Sequence, residues 1–313
     1  MSVSIDRANL PGSGAPKITY DGVTLWTRSD VAIEFKENLI ERVASMYGRV
    51  GKNRGPRKVE FELQLFGFWD NLSVLFPSHF LNFTYGARIF GTSDKPMVLL
   101  ARNGDKLTIH NVRGTGLSNL KLAANQEIFS ASVKFTGLIA NNVAPTNAAA
   151  FYTIATAQTY TEGDFPRNTH KNLTWTGAWG ARTGFTSIKT QDGWDWSWEV
   201  GTTDDLVDGV GPVDQFANNC WAMASCIPVG PTLAQIEANQ NFQDSNADVG
   251  ADVADTDDLV LTDGTSSITL YNAALVSQQY VFAPFKKRMG TLSFETGFRE
   301  FSTGAPTAIA AVA

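Results

Sequence analysis

Residues 99–112 (LLARNGDKLTIHNV) and 259–273 (LVLTDGTSSITLYNA) carry one pattern. Each is an apolar strand, a turn around Gly104 or Gly264, and an alternating strand ending at Asn111 or Asn272. Their turn chemistry and spacing predict β-hairpins. A repeat of this period points to a duplicated fold unit, which constrains the architecture more than any single element does. Downstream, SVKFTGL (132–138) parallels TLSFETGF (291–298), each an alternating strand that closes with Thr-Gly. Between the halves, residues 141–150 (NNVAPTNAAA) are small and polar and read as a linker.

Upstream, VAIEFKENLIERV leads through a Gly- and Arg-rich loop into RKVEFELQLFG. In the second half TGFTSIKT is expected to turn at Gln191-Asp192-Gly193 into WDWSWEVG. Both return strands alternate strictly. Val59, Phe61, Leu63 and Leu65 oppose Glu60, Glu62 and Gln64, while Trp194, Trp196 and Trp198 oppose Asp195, Ser197 and Glu199. One face therefore packs on a core and the other is wet and anionic. Helices are short: Asp70 caps a turn or two before Pro77, and residues 231–239 (PTLAQIEAN) form another. Two stretches read as mobile loops, a basic one at 45–58 with Arg49, Lys52, Arg54, Arg57 and Lys58, and an acidic one at 244–258 with six Asp.

At 313 residues, with 43% hydrophobic residues, the chain has enough apolar surface for two cores. Residues 1–150 hold 17 Lys and Arg against 12 Asp and Glu, and the remainder holds 8 against 19. Unlike halves of this kind suit electrostatic docking of one half on the other half of a neighbour, or simply an acidic, solvated surface on one of them. No run approaches the roughly 18 apolar residues of a membrane span, and the N-terminus lacks signal-peptide regions, so a cytoplasmic origin is expected. Cys220 and Cys226 are the only cysteines; in an extended CWAMASC they stand too far apart to bridge and read as ordinary thiols, at least one of them buried.

Enzyme signatures are poor. His79, His110 and His170 are scattered and no Cys pair has metal spacing, so neither a zinc site nor a cofactor is expected. Gly51-Lys52 is no phosphate loop, because Asn53 replaces Ser or Thr and Met46 replaces the first Gly; Gly114 and Gly116 lack a third Gly at Asn119. Glu60 and Glu62 have the spacing of a glycosidase pair but sit on a regular strand without a cleft signature. The tryptophan ladder is compatible with a sugar or base platform, yet its strict alternation favours a core or an interface. No catalytic residue is assigned.

The order of hairpin, long loop, alternating strand and short helix, followed by IFGTSDKPMVLLARNGDKLTIHNVRGTGLSNLKLAANQEIFSASVKFTGL, resembles the major tail tube proteins of siphophages. The likeness covers most of residues 29–138 and recurs, weakened, over about 173–303. It implies a mainly β chain of two tandem β-sandwich domains with short flanking helices, at 1–145 and 146–313, the second with an acidic insertion at about 235–258. Three chains would close a ring with pseudo-sixfold symmetry around an inter-subunit β-barrel, and stacked rings would form the tail tube, in the virion after assembly in the host cytoplasm. Implied partners are the chain itself, the tape measure, distal and terminator proteins, and genomic DNA passing through without specific binding; no membrane is involved. By position, Glu34, Glu60, Glu62, Asp195 and Glu199 would face the bore, where carboxylates repel phosphate. Arg49, Lys52, Arg54, Arg57 and Lys58 would lie in an inter-ring loop. Unlike the first half, the second lacks a long basic loop. The alternatives are a non-polymerising distal or adaptor ring protein and a β-sandwich carbohydrate-binding module.

Overall fold

A computed structural model describes residues 16–27, 31–35, 39–44, 46, 48–54, 57–66, 72–76, 85–123, 130–144, 147, 149–161, 174–208, 210–239, 256–283, 286–296 and 310–312. The fold is mainly β, in antiparallel sheets. The strands are β1 (Lys17–Tyr20), β2 (Val23–Leu25), β3 (Leu39–Ala44), β4 (Gly48–Arg54), β5 (Val59–Phe66), β6 (Met97–Leu100), β7 (Lys106–Ile109), β8 (Asn111–Leu122), β9 (Ser130–Leu138), β10 (Tyr152–Ala155), β11 (Thr176–Trp179), β12 (Lys189–Val207), β13 (Gly211–Val229), β14 (Thr256–Thr262), β15 (Ser267–Ala283), β16 (Lys286–Glu295) and β17 (Ala310–Val312). Two short helices, α1 (Leu72–Leu75) and α2 (Leu233–Glu237), complete the described elements. Thr232 and Gln235 close a capping box at the start of α2.

One sheet runs β10-β7-β6-β1-β2. The large sheet runs β11-β14-β15-β16-β13-β12-β8-β9-β5, with β17 added to β15, and β3 and β4 form a separate hairpin. Among the described residues the large sheet is open and closes no barrel. Its inner rows, Val59, Leu63 and Leu65 on β5, Val133 and Phe135 on β9, and Trp194, Trp196 and Trp198 on β12, are buried in one core.

The two halves repeat one another ladder by ladder. Leu99 pairs Leu107 as Leu261 pairs Ile268; Ile18 pairs Leu99 as Gly177 pairs Leu261. Phe61 pairs Phe135 as Ala224 pairs Phe294. The β-bulge between Gly114 and Gly116 recurs between Leu275 and Ser277. Tyr20 donates its hydroxyl to the Val112 carbonyl, and at the matching position Trp179 donates Nε1–H to the Ala273 carbonyl. β10, which lies past residue 145, pairs β7 as β17 pairs β15.

Two expectations change. The basic stretch 45–58 is not a loop throughout: β4 pairs β3, and Leu39–Arg54, Glu41–Lys52 and Ala44–Gly48 repeat Thr202–Ala217, Asp204–Gln215 and Val207–Gly211. Nor does WDWSWEVG return against TGFTSIKT. Residues 189–193 continue into β12, which is the outgoing strand of a long hairpin with β13, and only Ile188 bridges back, to Gly177. The counterpart of β5 is therefore β13, and that of β12 is the stretch around residues 31–35.

Arg113 staples the first half. Buried on β8, it donates to the carbonyls of Ile89, Phe90, Ser93 and Val112 and to Asn111 Oδ1, at 2.5 to 3.2 Å. Burial holds its pKa below the ordinary value, against the pull of Tyr20 and the surrounding aspartates. Arg113→Met would take this donor from the Ile89, Phe90 and Ser93 carbonyls and leave the Val112 carbonyl only the Tyr20 hydroxyl. Its unfolding free energy in denaturant titration is expected to fall by about 3 kcal/mol or more. A loss under 1 kcal/mol would mean that the 89–93 segment is held by other contacts.

Candidate assembly surface

The outward face of the large sheet gathers the polar residues of seven strands. One row crosses Glu62 of β5, Lys134 of β9, Gly116 of β8 and Glu199 of β12. Lys134 Nζ reaches Glu199 at 2.6 Å across β8. The crossing passes over Gly116, where a Cβ would meet the Lys134 and Glu199 side chains at ordinary contact distances of 3.5 and 3.6 Å. A second row runs Lys121, Asp195, Ser225, Ser293 and Ser277, with Lys121 Nζ 3.1 Å from Asp195.

Of the carboxylates singled out from sequence, this face holds Glu60, Glu62, Asp195 and Glu199. Glu34 stands apart in residues 31–35; Val31, Ile33 and Phe35 of that segment pack against the core, with Phe35 4.3 Å from the Tyr152 ring of β10. The face is less anionic than alternation suggests, because lysines on the interleaved strands answer the carboxylates. Lys121 and Lys134 were not singled out, although they hold polar positions in the alternation of β8 and β9. Lys58 ties Glu60 at 2.8 Å to Asp204 at 3.5 Å. Partial burial works against its charge, but Glu60 and Asp204 raise its pKa above the ordinary value.

The basic residues are spread. Arg49 faces Glu41 across the β3–β4 hairpin, Arg57 lies over the Phe151 ring at 5.5 Å, and Lys58 belongs to the sheet face. The side chains of Lys52 and Arg54 lie outside the described residues, as does most of the acidic stretch 244–258. The second hairpin differs in sign. Its Asp205 and Asp214 meet Arg88 at 3.8 and 4.0 Å, and Asp214 Oδ1 accepts from the Phe90 and Gln215 amides.

Two sheet edges have no partner over much of their length among the described residues. On β5 only Phe66 is bridged, its amide donating to the Trp26 carbonyl. On β15 residues 275–283 pair β16 on one side and nothing on the other, where β14 stops at Ala274. Exposed backbone of this kind recruits further strands. No group of three His, Cys, Asp or Glu among the described residues is placed to hold a metal, and no described helix is long and apolar enough to cross a membrane. Comparison with protein-family models and with curated proteins finds no match.

Both cysteines are free and face the core from β13. Burial pushes the Cys220 thiol up to about 12, a Trp198 contact notwithstanding, and raises Cys226 too. Because only the thiolate reacts, alkylation at pH 8 should run about 1000-fold slower in the folded protein than in denaturant. Comparable rates, read by mass spectrometry, would show that the inner face of β13 opens readily.

Proposed function

We propose that this chain is a structural protein of a phage tail, a tail tube subunit with two fused tube-type domains. Three copies close a pseudo-sixfold ring, and the rings stack into the conduit through which DNA leaves the virion. The observation that carries the reading is the joint between the halves. β8 of the first repeat pairs β12 of the second, so two copies of one unit lie edge to edge in a single sheet. A joint that one unit makes with the next, applied again and again, either closes as a ring or runs on as a filament. The free edges of β5 and β15 lie at the two ends of the run where the next joints belong.

The polar face supports the conduit role. Glu60, Glu62, Asp195 and Glu199 stand on it with serines, and Lys121 and Lys134 are held by ion pairs, so few unpaired cations are offered to phosphate. Acting without catalysis or cofactor, the protein would meet the tape measure, distal and terminator proteins at the tube ends. A single distal or adaptor ring would use the same joint without stacking.

Negative-stain electron microscopy with mass photometry across concentration tests the proposal. Hollow rings of three chains, growing into tubes, are expected. Rings that never stack would select the adaptor role, and a monomer without a central hole at every concentration would favour a carbohydrate-binding module. Replacing Arg49, Lys52, Arg54 and Arg57 with Ser is expected to slow tube growth while rings persist; unchanged growth would remove these residues from the contact between rings.

A further inference from the structure

The ladder that joins β12 to β13 has a counterpart in the first repeat that is formed at both ends and open in the middle. At one end Trp26 bridges Phe66, where Lys189 pairs Val229. At the other end β3 and β4 repeat the tip of the β12–β13 hairpin pair for pair. Between them Trp194 pairs Cys226, Trp196 pairs Ala224 and Trp198 pairs Ala222 in the second repeat. The matching residues, Val31, Ile33 and Phe35, make no ladder with Leu63, Phe61 and Val59. They take no regular structure and lean toward the smaller sheet instead.

That resting place is loose. Val31, Ile33 and Phe35 are only partly buried, beside a cavity of about 670 Å³ also lined by Leu99, Leu107 and Ile154. Their counterparts Trp194, Trp196 and Trp198 are fully buried. One difference separates the two environments. β12 is flanked on its second side by β8, with Leu122, Leu120 and Leu117 opposite Trp194, Trp196 and Trp198. Among the described residues, 31–35 have no such flank. The side chains beneath fit the same exchange: Gly177 makes room for Trp194, whose ring would lie 2.2 Å from a Cβ there, whereas the matching Ile18 is large and Val31 small.

We propose that residues 31–35 are an assembly-coupled strand. When a second copy presents the free edge of β15, the segment leaves its cavity, pairs with β5 of its own chain and takes residues 278–283 of the neighbour on its other side. The register copies the internal joint: Val31 faces Ala283 of the second copy, Ile33 faces Val281 and Phe35 faces Gln278. Glu34 then occupies the place of Ser197 and joins Glu60 and Glu62 on the polar face. Each free edge gains its flank only when the other arrives, so the strand forms cooperatively with the contact and the isolated chain keeps the edge of β5 unextended. The partner, a second copy, rests on the self-assembling subunit read above; the register and the switch rest on the duplicated ladders.

Two variants test it. In Ile33→Cys/Val281→Cys, a short bis-maleimide should link neighbouring copies in the assembled protein within minutes. The control Ile33→Cys/Val229→Cys should not link, and Cys220 and Cys226 are shielded in the core. In Ile33→Pro, which removes a ladder amide but sits in an irregular segment of the isolated chain, assembly should slow by ~10-fold or more at an unchanged melting temperature. If the wild type assembles while the first pair stays unlinked, or while Ile33→Pro assembles at the normal rate, the strand switch is wrong and the subunit reading stands. A wild type that never associates overturns both.

Discussion

The ladder between β8 and β12 holds the architecture together. It converts two copies of a strand unit into one sheet, and it buries the row of Trp194, Trp196 and Trp198 from a side that β13 does not reach. Without that flank the tryptophans would stand at a sheet edge, where large aromatic surface and unpaired backbone together invite association. The same ladder sets the polar face, because pairing Asp195 with Lys121 and Glu199 with Gly116 brings carboxylates of one repeat onto lysines of the other. Core and surface are thus products of one register, and a slip of one residue would exchange them.

Much of this was legible because β structure writes its period into the chain. The hairpins at 99–112 and 259–273 and the strands β5, β9 and β12 follow from alternation and turn residues, and α2 from the proline near its start. The duplication followed from matching them. The basic hairpin β3–β4 was hidden because Gly48, Gly51, Arg49, Lys52 and Arg54 make a weak strand signal. The misassigned partner of WDWSWEVG has a different origin. Gln191-Asp192-Gly193 has the composition of a turn, but the backbone takes it as a bulge within β12, with Gly193 at positive φ and its amide accepted by Thr190 Oγ1. Turn residues mark a departure from the ladder, and only the partner strand decides whether the chain reverses or continues.

The polar face shows a second limit. Alternation identifies which residues point away from the core but not which strands lie side by side. Glu199 and Lys134 are 65 residues apart in sequence, and their contact depends on the order β9-β8-β12, which sets them on either side of Gly116. Read strand by strand, the face is a set of carboxylates; read across strands, it is a set of ion pairs and serines. Exposed pairs of this kind add little stability, about 0 to 1 kcal/mol each. Their effect is on what the surface offers to a passing polyanion, since a lysine engaged by its own carboxylate is a weaker phosphate ligand than a free one.

The repeats differ most where they are exposed. At the matching hairpin tips Arg42, Arg49, Lys52 and Arg54 stand where the second repeat has Asp205, Pro212, Gln215 and Ala217. The internal joint uses this difference, since Arg88 of the first repeat lies against Asp205 and Asp214 of the second. Identical repeats would pair as well with themselves as with each other, and a chain could then join neighbours in either order. Hairpin tips of unlike charge disfavour like-with-like contacts and favour first-with-second, which in the proposed ring would secure alternation. The core rows, free of that task, keep the common register, and so the duplication survives in the ladders while it fades from the surface sequence.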